Sequence, residues 1–248
     1  MSRERHHLRV RFTKAGKIRF VSHRDVARLF ERALRILRLP MAYSEGFSPR
    51  PKLSFGLALS VSHESDAEYL DLELTELPEI DGLADSLTAA LPDGLTVQSV
   101  IVLPPGTASL QQAITSCTWR IEIIGAPTAT VTAAVAEALV APELTIERVR
   151  KGKTAVADVR PSIIALRVVG PTVDGTEIEA ELSTESTNLR PSELVQVFRQ
   201  QIGDDGVSEG RVRRIHQWII VDGSRSEPVS KPAPSTRHQL QETLQCAS

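Results

Sequence analysis

Thiol groups are scarce in this sequence. Only two cysteines occur among 248 residues, Cys117 and Cys246, and they lie far apart in the chain. A disulfide framework or a thiolate metal site is therefore not expected. The six histidines, including His63 beside Glu64, show no spacing typical of metal ligands. We accordingly predict no metal centre.

Long apolar runs are also missing. No run approaches the roughly 18 residues that a membrane span requires, and residues 1–11 are charged, without the apolar core of a signal peptide. We therefore expect a cytoplasmic protein that does not bind a membrane. Phosphate-loop, dinucleotide-binding and nucleophile-elbow motifs are absent from the sequence as well.

Positive charge is absent from one long segment. Residues 61–119 contain ten Asp and Glu but no Lys or Arg, whereas residues 1–60 contain 14 Lys and Arg against four Asp and Glu. The overall net charge of −2 hides this segregation. A basic segment of this density is typical of a surface that binds a polyanion, although the acidic segment could also neutralise it within the protein.

Hydrophobic periodicity predicts two similar halves. Each half is predicted to contain strands and helices in the order β-α-β-β-α-β, with extra extended pieces. This order favours an α+β protein of tandem ferredoxin-like (split βαβ) domains with antiparallel sheets. We predict one domain over residues 1–106, a second over 107–221, and a disordered tail over 222–248, where Ser, Pro, Gln and charges dominate.

The first helix has clear start and stop signals. Ser22 precedes Asp25 by three residues, which is typical of a capping box. Apolar residues then follow at helical spacing from Val26 to Leu37, and Pro40 ends the pattern. The short piece before this helix, residues 18–21, is predicted to be extended.

Four blocks of sequence within residues 8–75 carry a family resemblance. They read KIRFVSHRD from Lys17, FERALR from Phe30, YSEGFSPRPK from Tyr43 and HESDAEY from His63. In this order they resemble the radical-SAM-linked protein family, whose molecular function is unassigned. The motif residues of interest are Ser22, His23, Asp25, Gly46, Phe47, Pro49, Pro51, Glu64, Ser65, Glu68 and Tyr69.

The resemblance implies a biological context. Proteins of that family are encoded beside, or fused to, radical SAM enzymes with a cobalamin-binding domain. An iron–sulfur cluster is held by several cysteine thiolates, which this chain lacks. The resemblance therefore implies an accessory with no cofactor of its own, and a radical SAM enzyme as a partner.

A stripe of arginines runs along the first helix. Arg24, Arg28, Arg32 and Arg35 recur every three or four residues, away from the apolar face. Like charges at this spacing repel one another, so helix stability does not explain them. Two partners remain open: an external phosphate, or the chain's own Asp66, Glu68, Asp71 and Glu73.

A loop rich in glycine and proline follows. In residues 46–52 a stacking aromatic, Phe47, stands beside Arg50 and Lys52, a combination suited to single-stranded RNA. Aromatic burial favours the alternative that Phe47 belongs to the core. The candidate nucleic-acid-binding residues are Arg9, Arg11, Lys17, Arg24, Arg28, Arg32, Arg35, Arg50, Lys52, Lys151 and Lys153.

Three hypotheses for function follow from these features. The leading one is a non-catalytic RNA-binding or substrate-presenting accessory of a radical SAM enzyme. The second is a metal-independent endoribonuclease that uses His23, assisted by Tyr43; against it, a histidine in the first turn of a helix commonly has a structural role. The third is an adaptor that docks a basic protein through the acidic residues 64–93.

Overall fold

The structure is a computed structural model that describes residues 5–150, 152–185 and 189–229. The strands are β1 (His6–Lys14), β2 (Leu53–Phe55), β3 (Glu64–Leu74), β4 (Leu95–Val102), β5 (Ile114–Ile124), β6 (Thr145–Arg150), β7 (Lys153–Asp158), β8 (Ile163–Pro171), β9 (Gly175–Ser183), β10 (Ser208–Val221) and β11 (Ser224–Ser226). The helices are α1 (His23–Ile36), α2 (Leu83–Ala90), α3 (Leu110–Ala113), α4 (Thr128–Val140) and α5 (Pro191–Ile202). Two 3-10 helices span Gly16–Phe20 and Arg160–Ser162.

Nine strands form one mixed sheet. Its order is β4-β1-β3-β10-β5-β9-β8, with β2 paired to β3 and β11 paired to β10. All of its pairs are antiparallel except β3 with β10, which is parallel. The α+β class with a mostly antiparallel sheet is therefore confirmed. The hairpin β6–β7 forms a separate two-stranded sheet.

The two halves of the chain share this sheet. The first half has the order β4-β1-β3-β2, and the second has β10-β5-β9-β8. They join where Arg213 and Arg214 on β10 pair with Glu64 and Ser65 on β3. The predicted separate sheets are thus replaced by a continuous one.

Each half has its own hydrophobic core. In the first, Phe12, Phe30 and Phe55 pack together beneath α1, with ring centroids 4.7 to 6.2 Å apart. In the second, Trp119 and Phe198 belong to a larger cluster beneath α4 and α5. Burying each such ring contributes about 1.5 to 3 kcal/mol, so these clusters hold the helices against the sheet.

Helix α1 begins as predicted. The Ser22 hydroxyl accepts a hydrogen bond from the Asp25 N–H at 3.2 Å, which satisfies one free donor of the first turn. Val26, Phe30, Ala33 and Leu34 are buried against the sheet. The opposite side of the helix faces solvent.

Two local predictions are wrong. Residues 18–20 are not extended, because the chain turns as a 3-10 helix over Gly16–Phe20, and only Val21 has an extended backbone. The tail is structured at its start, since β11 pairs with β10 and Val229 is only 4% exposed. The rest of the predicted tail, residues 230–248, lies outside the described residues. Within the described residues, no helix is long and apolar enough to cross a membrane.

Candidate nucleic-acid interface

A groove of about 480 Å³ separates α1 from the loop of residues 43–51. Four arginines line it: Arg24, Arg28 and Arg35 from the helix and Arg50 from the loop. The structure thus brings together two features that the sequence presents separately. The other lining residues are Ala27, Glu31, Leu34, Leu39, Met41, Tyr43, Pro49 and Pro51. We call this surface the α1 groove.

The helix arginines are largely unneutralised. Arg28 forms an ion pair with Asp25 at 3.0 Å, and both side chains are more than half exposed. Arg24, Arg32 and Arg35 are exposed and form no ion pair with any described residue. Glu31 is the sole carboxylate among the residues that line the groove. The groove therefore carries an excess of positive charge.

The acidic segment does not neutralise the stripe. Its carboxylates on β3 pair with other cations: Asp66 with Arg213, Glu68 with Arg214, Asp71 with Arg9 and Glu73 with Lys52. These contacts therefore do not support the alternative that the chain's own carboxylates pair with the arginine stripe of α1. The remaining acidic residues, Glu76, Glu79, Asp81, Asp85 and Asp93, are exposed and pair with no described cation.

The loop projects an aromatic ring outward. Gly46 has φ +120°, which favours glycine, and a side chain at this position would meet nothing within 4 Å. Phe47 is fully exposed, so the prediction that it packs in the core is wrong. Two hydrogen bonds between Ser44 and Arg50 close the base of the loop. The Ser44 N–H donates to the Arg50 carbonyl at 2.9 Å, and the Arg50 N–H donates to the Ser44 hydroxyl at 3.1 Å. Because the core positions beneath α1 are already filled, the ring stays in solvent.

Two predicted nucleic-acid-binding arginines are internal. Arg9 and Arg11 are each 2% exposed. Arg9 makes a bidentate contact with Asp71 at 2.7 and 2.9 Å, and Arg11 donates to Glu227, Gln98 and the Val229 carbonyl. Their inclusion in an external surface is therefore wrong, because the linker before α3 and the segment after β11 cover this face of the sheet.

The remaining predicted cations lie apart from the groove. Lys17 is exposed on the 3-10 helix before α1, and Lys153 is exposed at the start of β7. Lys52 is exposed but pairs with Glu73 at 3.0 Å. Lys151 lies outside the described residues. Of the predicted cations, Arg24, Arg28, Arg35 and Arg50 are the ones that line the groove.

His23 and Tyr43 are not in contact. Tyr43 is 53% exposed and lines the groove. His23 does not line it and packs edge-on against Phe55, with ring centroids 5.0 Å apart. Burial lowers the pKa of His23, against the opposing charge of Glu68. This imidazole is therefore neutral at physiological pH. It contacts the core and does not line the groove.

The last motif block lies inside the molecule. Ser65 and Tyr69 are at most 1% exposed, and Ser65 accepts a hydrogen bond from the Ala67 N–H at 3.2 Å. Burial raises the pKa of Tyr69, whose ring lies beneath Arg11. These residues join the two halves of the sheet and are not a surface site.

Glu64 is the centre of an arginine cluster at the junction of the halves. It accepts hydrogen bonds from Gly16 N–H at 2.9 Å and from Arg211 and Arg213 at 3.0 Å, with Arg19 at 3.5 Å. Burial alone would raise the pKa of Glu64, but these donors lower it to about 2. Sequence reasoning missed the two β10 arginines, since alternation within β10 does not reveal a partner 147 residues away.

Family membership follows from a sequence match. The model of a family described as "Uncharacterized protein conserved in bacteria (DUF2344)" matches residues 7–191. The chain belongs to the DUF2344 family. No curated protein matches it. The matched residues of this DUF2344 chain include the whole α1 groove but stop before β10.

One solved structure has a similar fold. It is titled "Crystal Structure of a Cbf5-Nop10-Gar1 Complex" and matches with a TM-score of 0.51 and 10% sequence identity. The match covers 85% of the DUF2344 chain and 48% of the other chain. The DUF2344 chain thus spans about half the length of that chain, and the likeness concerns the fold alone.

Metal chemistry finds no support in the geometry. Over the described ranges, no group of three or more His, Cys, Asp or Glu side chains is placed to hold a metal ion. His63 instead contacts Glu209 at 2.9 Å. The α1 groove combines four arginines with the exposed ring of Tyr43.

Proposed function

We propose that this protein is a non-catalytic accessory that binds single-stranded RNA in the α1 groove. The observation that carries the proposal is the concentration of four arginines in one groove with a single lining carboxylate. Arginine suits phosphate because its planar guanidinium donates two parallel hydrogen bonds. Each contact adds to affinity by releasing counterions.

The aromatic residues favour a single strand over a duplex. Tyr43 lies in the groove and Phe47, four residues later, stands in solvent, so both rings are free to stack on unpaired bases. Bases in a duplex are already stacked and offer no such face. The prolines of the loop reduce the conformations that would be lost on binding.

A radical SAM enzyme is the protein partner in this proposal. Its support is the family resemblance of the four motif blocks together with the two widely spaced cysteines. The iron–sulfur cofactor would then belong to the other polypeptide, and this chain would present the RNA substrate. We also propose that each half is a ferredoxin-like unit, supported by the equivalent strand orders β4-β1-β3-β2 and β10-β5-β9-β8.

The test is a titration of the whole chain with fluorescent single-stranded RNA at several salt concentrations. Arg24→Gln combined with Arg35→Gln should weaken binding and reduce the slope of log K against log salt by about 1.4, since each phosphate contact contributes about 0.7. Arg167→Gln combined with Arg190→Gln, two exposed arginines that do not line the groove, removes the same charge and is the matched control. An unchanged slope in the double variant would refute the proposal.

A second measurement separates binding from cleavage. RNA incubated with the protein in EDTA should remain intact, because the accessory does no chemistry. Cleavage that survives EDTA and disappears in His23→Ala would establish the endoribonuclease instead. Capture of a basic protein that depends on Glu76, Glu79 and Asp85, with no RNA affinity, would establish the adaptor.

A further inference from the structure

A second cavity lies between the two halves. It has a volume of about 190 Å³ and shares no lining residue with the α1 groove. Leu57 and Ala58 line it from the loop after β2, Cys117 and Trp119 from β5, Arg190 from the start of α5, and Arg214 from β10. We call it the inter-half cavity.

Arg214 is the buried cation of this cavity. It is 1% exposed, and its guanidinium lies over the Trp119 ring, 4.9 Å from the centroid. It donates to the carbonyls of Leu57 at 3.0 Å and Ala58 at 3.2 Å. A guanidinium has five N–H donors, and Arg214 Nε makes no hydrogen bond to a described residue. The side chain therefore retains donors for another group.

The ion pair of Arg214 is long. The carboxylate beside Arg214 is Glu68, whose Oε1 lies 3.5 Å from Nε, is buried and accepts no hydrogen bond from a described residue. Lys14, which is 3% exposed, is a second buried cation, and its charge acts on His23 together with those of Arg214 and Glu68. Burial lowers the pKa of Lys14, and the charge of Arg214 lowers it further against the effect of Glu68.

The thiol in the cavity supplies no negative charge. Cys117 is 3% exposed, and burial raises its pKa to about 11. It is therefore a neutral wall of the cavity at physiological pH. Glu181, 8% exposed, is a second buried carboxylate in the field of this thiol, so the buried charges near the cavity are of both signs.

Helix α5 places an arginine at the rim. Its first residues, Arg190 and Pro191, line the cavity, and the Arg190 backbone N–H donates to the Glu193 carboxylate at 2.9 Å. The Arg190 side chain is exposed at the mouth. Positive charge thus lines the cavity both inside and at its entrance.

We infer that the inter-half cavity binds a small molecule that carries one carboxylate or phosphate group on a compact apolar body. The anionic group would contact Arg214 and Arg190, and the body would pack against Trp119, Cys117 and Leu182. The volume limits the ligand to about a single substituted ring, since sites for larger ligands are typically 300 Å³ or more. This site is independent of RNA binding in the α1 groove.

Trp119 provides a direct reporter. The sequence has two tryptophans, Trp119 and Trp218, so Trp218→Phe leaves a single tryptophan, which lies in the wall of the cavity. We would titrate this variant separately with inorganic phosphate and with benzoate. The expected result is a saturable change in Trp119 emission with at least one probe, and the effective probe identifies the group that the site prefers.

Two substitutions test the assignment. Arg190→Gln, at an exposed position, should weaken probe binding at least about tenfold, because a charge-assisted contact is lost. Arg38→Gln removes the same charge from an exposed site outside the cavity and should leave binding unchanged. Equal weakening by both variants would overturn the inference, since it would indicate only a general charge effect.

A melting experiment covers the case in which Trp218→Phe does not fold. The unmodified chain should melt at a higher temperature with the bound probe, because a ligand stabilises the state that binds it. The increase should be smaller in Arg190→Gln. The inference would be overturned if neither probe, at about 10 mM, gave a saturable change in Trp119 emission or a melting shift. A site that stayed empty at this concentration would bind too weakly to be useful.

Discussion

Helices α1 and α4 occupy equivalent places in the two halves, since each follows the first strand of its half. Both bury a stripe of four apolar residues against the sheet. Helix α1 carries four exposed arginines on its other side, whereas α4 has no Lys or Arg at all. The fold therefore does not require charge at this position, and the arginines of α1 are available for a partner.

The cations of the second half differ in another way. Arg120 pairs with Glu177 and Glu179 at 2.8 Å, and Arg167 shares Glu179. These contacts cross neighbouring strands on the sheet face opposite α4 and α5. Paired cations stabilise the sheet face, and unpaired ones leave α1 positively charged.

Arg9→Gln should have the largest effect on stability. The change leaves Asp71 without its bidentate partner beneath the linker, and breaking a buried ion pair costs about 3 kcal/mol. Urea unfolding measures the loss. Adding Asp71→Asn should recover part of it, because the unpaired charge is then removed. A loss below about 1 kcal/mol would mean that the paired Arg9 contributes no more to stability than the unpaired arginines of α1.

Glu64→Gln should alter the response to acid. The folded pKa of Glu64 is about 2, below its ordinary value of 4.5. The carboxylate therefore stabilises the fold above pH 4.5, and this contribution falls as the pH drops from 4.5 towards 2. Unfolding at pH 7, 4 and 3 should show a wild-type advantage that shrinks with acid. Glu76→Gln, at an exposed position, should show no such convergence.

Ser22→Ala should cost about 1 kcal/mol, because the Asp25 N–H loses its acceptor at the start of α1. Helix α4, the equivalent helix of the second half, has no side-chain cap hydrogen bond. Thermal unfolding of the variant beside Ser54→Ala, an exposed serine of β2, measures the cap. Equal stability of the two variants would show that α1 does not depend on it.

Arg32→Gln should have the smallest effect and the opposite sign. It removes repulsion with Arg28 and Arg35, each worth a few tenths of a kcal/mol, so stability should rise by roughly 0.5 kcal/mol. The gain should vanish in high salt, which screens exposed charges. A loss of stability would show that Arg32 serves the fold and would weaken the case for an external partner.

Local patterns predicted most of the elements. The capping signal of α1 is confirmed, since the Ser22 side chain accepts a hydrogen bond from the Asp25 N–H. The short helix α3 and the strand β11 were missed, because three or four residues contain too little periodicity. The sequence predicted the two parts of the α1 groove, the arginine stripe and the loop of residues 46–52, but not that they form one surface.

The sequence by itself determined the order of the elements, the capped helix and the segregation of charge, because each depends on residues close together in the chain. Only the tertiary structure decided which arginines face solvent. In β1 the alternation separates two faces, yet Arg11 became internal through Glu227, 216 residues away. Period 2 distinguishes the faces of a strand but does not specify what covers each face. What covers each face depends on packing between distant segments. In α1 that packing leaves the arginines uncovered.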